Sequence, residues 1–160
     1  MTTVSDIMTR GVRSMTPSDT VVLAAQAMGE LNVGVIPVCD GDKLVGMVTD
    51  RDIVLRGVAQ DRDNRSTRLQ DVMSKDVRTV REHDEVEQVL ADMADAQIRR
   101  MAVVDERNKL IGIVSLGDIA VKDSGENGLG DSLADISSPA EPDRSSQSHA
   151  SRPAGGFSSA

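Results

Sequence analysis

The stretch Lys43-Leu44-Val45-Gly46-Met47-Val48-Thr49-Asp50-Arg51-Asp52-Ile53 returns 66 residues later as Lys109-Leu110-Ile111-Gly112-Ile113-Val114-Ser115-Leu116-Gly117-Asp118-Ile119. Each copy reads as a strand that runs into a helix start. The strand carries Gly-x-Val, and a hydroxyl follows with an acid three positions on. Working outward, the repeat extends in both directions. Asp6-Ile7-Met8-Thr9 matches Asp71-Val72-Met73-Ser74, and Val12-Arg13-Ser14 matches Val77-Arg78-Thr79. Asp19, Val21, Met28, Val38 and Asp40 match Asp84, Val86, Met93, Val103 and Asp105. Two copies of so long a period make a pseudo-twofold pair rather than a solenoid, and each unit is expected to bury its apolar face against the other.

Both units share one pattern. A short β segment (Val12 to Met15; Val77 to Val80) leads into a polar turn, with Asp19 or Thr20, and Asp84, as N-caps. Helical spacing follows at Val21, Ala24, Ala25, Met28 and Leu31, and at Val86, Val89, Leu90 and Met93. A strand (Val35 to Val38; Met101 to Val104), a turn and a second strand (Leu44 to Val48; Leu110 to Val114) come next. A second helix starts near Asp50 or Leu116. The order β-α-β-β-α, twice, predicts a mixed α/β fold. Pro37 cannot donate to a ladder, so its strand belongs at an edge. The expected units are 3–58 and 71–122, joined by a polar surface connector over 59–70. From 123 to 160, Ser, Gly, Ala, Pro and Asp dominate without apolar periodicity, which predicts a disordered tail.

Composition narrows the function. The 160 residues contain one Phe, no Trp and no Tyr, so the core must be aliphatic and methionine-filled. This argues against nucleic-acid platforms that stack bases on aromatic rings. A net charge of −8 argues against general binding to nucleic acid or anionic membranes. No apolar run is long enough to span a bilayer, and no secretory signal opens the sequence. A lone Cys39 excludes an intrachain disulfide framework and, with only His83 and His149, gives no zinc pattern. The expected home is the cytoplasm. There is no P-loop, no dinucleotide fingerprint and no visible nucleophile–base set, so no enzyme is expected.

Two readings fit Thr49-x-x-Asp52 and Ser115-x-x-Asp118. In one, each is a helix cap whose acid reaches back to the cap residue. In the other, the helix start faces an anion and the acid accepts hydrogen bonds from a sugar's vicinal hydroxyls. The two are compatible.

The duplicated Asp-(Ile/Val)-Met…Pro/Ala-Val-x-Asp…Gly-x-Val-(Thr/Ser)-x-x-Asp-Ile pattern resembles the CBS domains named after cystathionine β-synthase, over about residues 3–122. The resemblance implies a tandem CBS pair, or Bateman module, that commonly dimerises. It implies regulatory binding of AMP, ADP, ATP, NAD or S-adenosylmethionine, with no required cofactor, no metal and an effector protein of unknown identity. It assigns Asp52 and Asp118 to the ribose, and Thr49 and Ser115 to the region of ribose and phosphate. Ile98-Arg99-Arg100-Met101 resembles the family's phosphate-contacting basic segment. By the same resemblance, Thr9, Val12, Val33 and Val35 flank the adenine in one cleft, and Ser74, Val77 and Ile98 in the other. The clefts are expected to be unequal, because Gly34 and Val35 stand where Arg99 and Arg100 stand in the second unit. Arg100 serves the Asp118 cleft; the Asp52 cleft draws on Lys75, Arg99 or Arg51. A structural or interaction module without ligand is the competing expectation.

Overall fold

The computed structural model describes residues 1–122; the expected tail lies outside the described residues. A helical turn α1 (Val4–Ile7) and a short strand β1 (Thr9–Arg10) lead into helix α2 (Val21–Leu31) and the hairpin β2 (Val35–Asp40) and β3 (Lys43–Thr49). A turn of helix, α3 (Asp50–Asp52), continues as a π-helical turn over Ile53–Gly57 and a 3-10 turn over Val58–Gln60. The second unit repeats the plan with α4 (Leu69–Val72), β4 (Thr79–Val80), α5 (Val86–Ala96), β5 (Arg100–Val104), β6 (Leu110–Ser115) and α6 (Leu116–Lys122). The strands form a four-stranded sheet in the order β1-β6-β5-β4 and the two-stranded β2-β3 hairpin.

The local chemistry explains most boundaries. The Thr20 hydroxyl accepts the Leu23 amide and starts α2, which ends at Asn32 in the left-handed region (φ 54°). Gln97 (φ 55°) ends α5 in the same way. Asp84 is not a helix cap. Its carboxylate accepts the Arg81 amide at 2.8 Å and closes the preceding turn, leaving Glu85 at the N-cap. Asp19 does the same for Thr16 at 2.8 Å.

The leading β segments are shorter than expected. Thr79–Val80 alone pairs in parallel with Ala102–Val103. In the first unit only Met15 bridges Val38, giving its carbonyl to the Cys39 amide and its amide to the Pro37 carbonyl. Two bonds around one residue suffice there because Pro37 has no N–H to extend the ladder. On α2 the buried face is Val21, Ala24, Ala27 and Met28, whereas Ala25 and Leu31 face outward.

The cores do not follow the sequence repeat. One cluster joins Met15, Val21, Ala24, Met28, Ile36, Val38, Val48 and Ile53 with Leu69, Val72 and Met73 from the start of the second unit. Its twin joins Val80, Val86, Val89, Met93, Met101, Val103, Val114 and Ile119 with Val4, Ile7 and Met8 from the start of the first. Each unit thus lends its leading turn to the other. The backbone repeats the exchange bond for bond. Leu69 donates to the Asp19 carbonyl as Val4 does to Asp84, and Gln70 to Pro17 as Ser5 does to Glu82. The supposed connector is therefore built in at its end: Thr67 is buried, and its carbonyl accepts the Val21 amide. A third cluster (Cys39, Leu44, Met47, Ala102, Val104) joins residues of the two hairpins and adds a further apolar contact between units.

The glycines of Gly-x-Val follow from this exchange. β1 pairs with β6 through Thr9↔Ile113, and Ser74 bridges Met47. A Cβ on Gly112 would lie 2.6 Å from the Thr9 carbonyl oxygen, and one on Gly46 2.7 Å from that of Ser74. Only a residue without a side chain lets the borrowed segment lie so close.

Candidate functional site

Both helix-start motifs form closed capping boxes. The Thr49 hydroxyl accepts the Asp52 amide at 2.9 Å, and Asp52 Oδ2 accepts the Thr49 amide at 3.0 Å. Ser115 and Asp118 repeat this at 3.0 Å in both directions. Capping therefore occupies one oxygen of each motif acid. Oδ1 of Asp52 and of Asp118 makes no hydrogen bond among the described residues. The device is also widespread. Asp6, Asp19, Asp71 and Asp84 each accept the amide three residues back. An acid bound to its own turn thus does not single out a ligand site. What separates Asp52 and Asp118 from the other four is their place at the end of the central strands, where their bonds are partly buried.

A cleft of about 500 Å³ lies between the units. One wall comes from the first unit: Met28, Asn32, Val33 and Gly34 at the end of α2, and Asp50 at the start of α3. The facing wall is Arg99, Arg100, Ser115, Leu116 and Gly117 of the second. Of the residues named from sequence, the cleft brings together Val33, Arg99, Arg100 and Ser115. The others sit elsewhere. Asp52, Asp118 and Thr49 are half-buried in their caps outside this lining. Thr9 and Ser74 hold the exchanged segments through backbone pairing. Val35 and Val77 pack on the inter-unit cluster, and Ile98 on the second core. Val12 is half-buried, and Lys75 and Arg51 are exposed, all outside the cleft.

Sequence reasoning gave no site role to Met28, Asn32, Asp50, Leu116 or Gly117, and used Gly34 only as a position that lacks an arginine. The signal for Gly34 and Asp50 was the repeat itself, since Gly34 aligns with Arg99 and Asp50 with Leu116. Asp50 is held in place: its amide donates to the Gly34 carbonyl at 3.0 Å, and its Oδ1 accepts the Arg51 amide at 2.9 Å. Its Oδ2 lies where a side chain on residue 34 would crowd it, 3.2 Å from an ideal Cβ. Both arginines are exposed, and neither guanidinium makes an ion pair or hydrogen bond among the described residues. The Arg99 backbone is fixed by the Leu116 amide, which donates to its carbonyl at 2.8 Å. The site is thus a concave space with two free cations, a hydroxyl, aliphatic surface at Val33 and Leu116, and one acid. A pocket of this volume suits a single nucleotide-sized ligand. Among the described residues no cluster of His, Cys, Asp and Glu is suited to a metal ion, and no helix is long and apolar enough to cross a membrane.

Comparison with known proteins agrees with this architecture. The chain is 43% identical to the uncharacterized protein YlbB of Bacillus subtilis, over 86% of this chain and 93% of that one. The CBS domain pair of protein MJ0100, solved in complex with 5-methylthioadenosine and S-adenosyl-L-methionine, superposes with a TM-score of 0.68. It is 28% identical, and the match covers 75% of this chain and 98% of that one. CBSX2, solved in complex with AMP, gives a TM-score of 0.68 at 29% identity, covering 78% and 96%. The CBS domain family matches twice, over residues 4–58 and 69–124. With the duplicated strand–helix motif and the exchanged leading turns, these matches establish that the chain belongs to the CBS domain family and carries two copies of it in tandem.

Proposed function

We propose that the protein is a stand-alone regulatory module, not an enzyme, that binds an adenosine-containing ligand between its two CBS units and signals occupancy to an effector protein in the cytoplasm. The observation that carries this reading is the cleft, where Arg99, Arg100 and Ser115 of one unit face Val33 and Gly34 of the other. Two guanidiniums without a protein partner suit a phosphate or carboxylate, which they hold by charge-assisted hydrogen bonds. Aliphatic walls suit a purine. The unengaged Oδ1 atoms of Asp118 and Asp52 remain acceptors for ribose hydroxyls, although neither residue is part of the cleft lining. The AMP bound by CBSX2 and the S-adenosylmethionine bound by the MJ0100 pair support an adenosine ligand as the class. We further propose a homodimer. Leu23, Leu31, Val54, Leu55 and Val58 stand between 42% and 56% exposed on α2 and the helix after β3, an apolar surface that a second copy would cover.

The competing reading, a ligand-free interaction module, draws on one observation: each of the six turn acids binds a backbone amide of its own turn. Native mass spectrometry of protein purified without added ligand, followed by thermal-shift screening, separates the two. A ligand at 100 times its dissociation constant adds about 2.7 kcal/mol of stability. The expected result is a clear shift with an adenosine compound that Arg100→Ala abolishes. No shift with any adenosine compound refutes the sensor.

A further inference from the structure

We infer that Asp50 makes the cleft selective for ligands with a single phosphate over di- and triphosphates; this rests on the nucleotide-binding reading above. Three observations carry it. First, the two units place opposite charges in one cleft, each at a position whose equivalent in the other unit is uncharged. Where the second unit has Arg99 beside Leu116, the first has Gly34 beside Asp50, and all four line the same space. Second, Asp50 is not neutralised. It makes no ion pair within 4.0 Å among the described residues, although Arg99 and Arg100 line the same cleft. Third, its carboxylate is anchored by the Arg51 amide over the gap left by Gly34.

The charge count then decides the class of ligand. The cleft offers Arg99 and Arg100 against Asp50, so its net side-chain charge is a single positive one. One phosphate engages the two guanidiniums. A second and third add negative charge to a volume of about 500 Å³ that already contains a carboxylate without an ion-pair partner and, among its lining residues, no further cation. Each added phosphate therefore meets repulsion from Asp50 without a new partner. Unit charges a few ångströms apart interact by about 1 kcal/mol even through water, a factor of about five in affinity. Asp50 is thus a specificity-determining residue that acts by repulsion, rejecting the wrong ligand rather than holding the right one.

Isothermal titration calorimetry with AMP, ADP and ATP, without magnesium, tests this on the full-length protein and on Asp50→Asn. The wild type is expected to bind AMP tightest, with at least about five-fold loss to ATP. Asp50→Asn is expected to narrow the AMP-to-ATP ratio about five-fold or more, mainly by tightening ATP. Asp50→Leu, which copies the equivalent Leu116, must act in the same direction and guards against a folding defect in one variant. If wild-type protein prefers ATP, or if neither variant changes the ratio, the selectivity assignment is overturned while nucleotide binding stands. If no adenosine nucleotide gives heat or a thermal shift with the wild type, the underlying sensor reading fails and takes this inference with it.

Discussion

Replacing Gly112 by alanine tests the exchange of leading segments directly. An alanine Cβ there would sit 2.6 Å from the Thr9 carbonyl oxygen and 3.3 Å from Met8 Sδ. The first contact is with backbone, which cannot rotate away. Relief requires β1 to lift off β6, breaking the Thr9↔Ile113 pairing and drawing Met8 out of the second core. Overpacking of this kind costs about 1–3 kcal/mol, and a backbone obstacle places the expected cost near the upper end. For a fold of this size that corresponds to a fall in Tm of about 8–12 °C. Gly29→Ala is the control. It lies within α2 with nothing within 4 Å of its added Cβ, so alanine is expected to stabilise by up to about 1 kcal/mol. Differential scanning calorimetry measures both, and amide exchange of residues 8–10 locates the damage. A Gly112→Ala protein that melts within 1 °C of wild type, with β1 amides equally protected, would refute the claim that the borrowed segment dictates this glycine.

Asp118→Ala is expected to do two things. Losing the bond from the Ser115 amide lowers stability by about 0.5–1.5 kcal/mol while the Ser115 hydroxyl cap persists, and losing a charged acceptor weakens an adenosine ligand by about 1–3 kcal/mol; calorimetry at constant fraction folded separates the two, and unchanged affinity removes Asp118 from the ribose. Arg56 donates to the Val72 and Met73 carbonyls at 3.2 and 3.1 Å and clips the end of α4 to the first unit, so Arg56→Ala should lower Tm and speed amide exchange around Met73 and Ser74. Burial pushes the Cys39 thiol up, and the side chain is 3% exposed. Ellman's reagent at neutral pH should therefore label Cys39 only on unfolding. Asp105 is held below its usual 3.8, chiefly by the Lys109 amide and also by that of Arg107. Its contribution to stability is present above 3.8 and is lost as the pH falls through the lower folded value. Urea titrations at decreasing pH should show a shallower acid slope in Asp105→Asn than in wild type.

The sheet strands and the two long helices were legible because valines, isoleucines and methionines recur at matching offsets in both units, and two readings of one pattern reinforce each other. Thr20 announced its helix through an ordinary cap. Asp84 misled because an acid three residues into a turn binds the turn's own amide as readily as a helix start. The exchange of Val4–Ile7 and Leu69–Val72 was hidden for a different reason. Four residues are too few to show helical periodicity, and sequence similarity reveals that two segments are equivalent without revealing which core each enters. The resemblance gave Arg100 to one cleft and offered Arg99 to the other, whereas the structure brings both into one lining with Val33 and Ser115. Asp50 escaped notice because an acid in the first turn of a helix has an ordinary structural role there, and only the fold brings it into one lining with Arg99 and Arg100.

The lent turns also bind the fates of the two halves. Leu69, Val72 and Met73 complete the first core and Val4, Ile7 and Met8 the second, so neither half closes its own core alone. A cut through the intervening polar segment should therefore leave two pieces that stay together and melt as one.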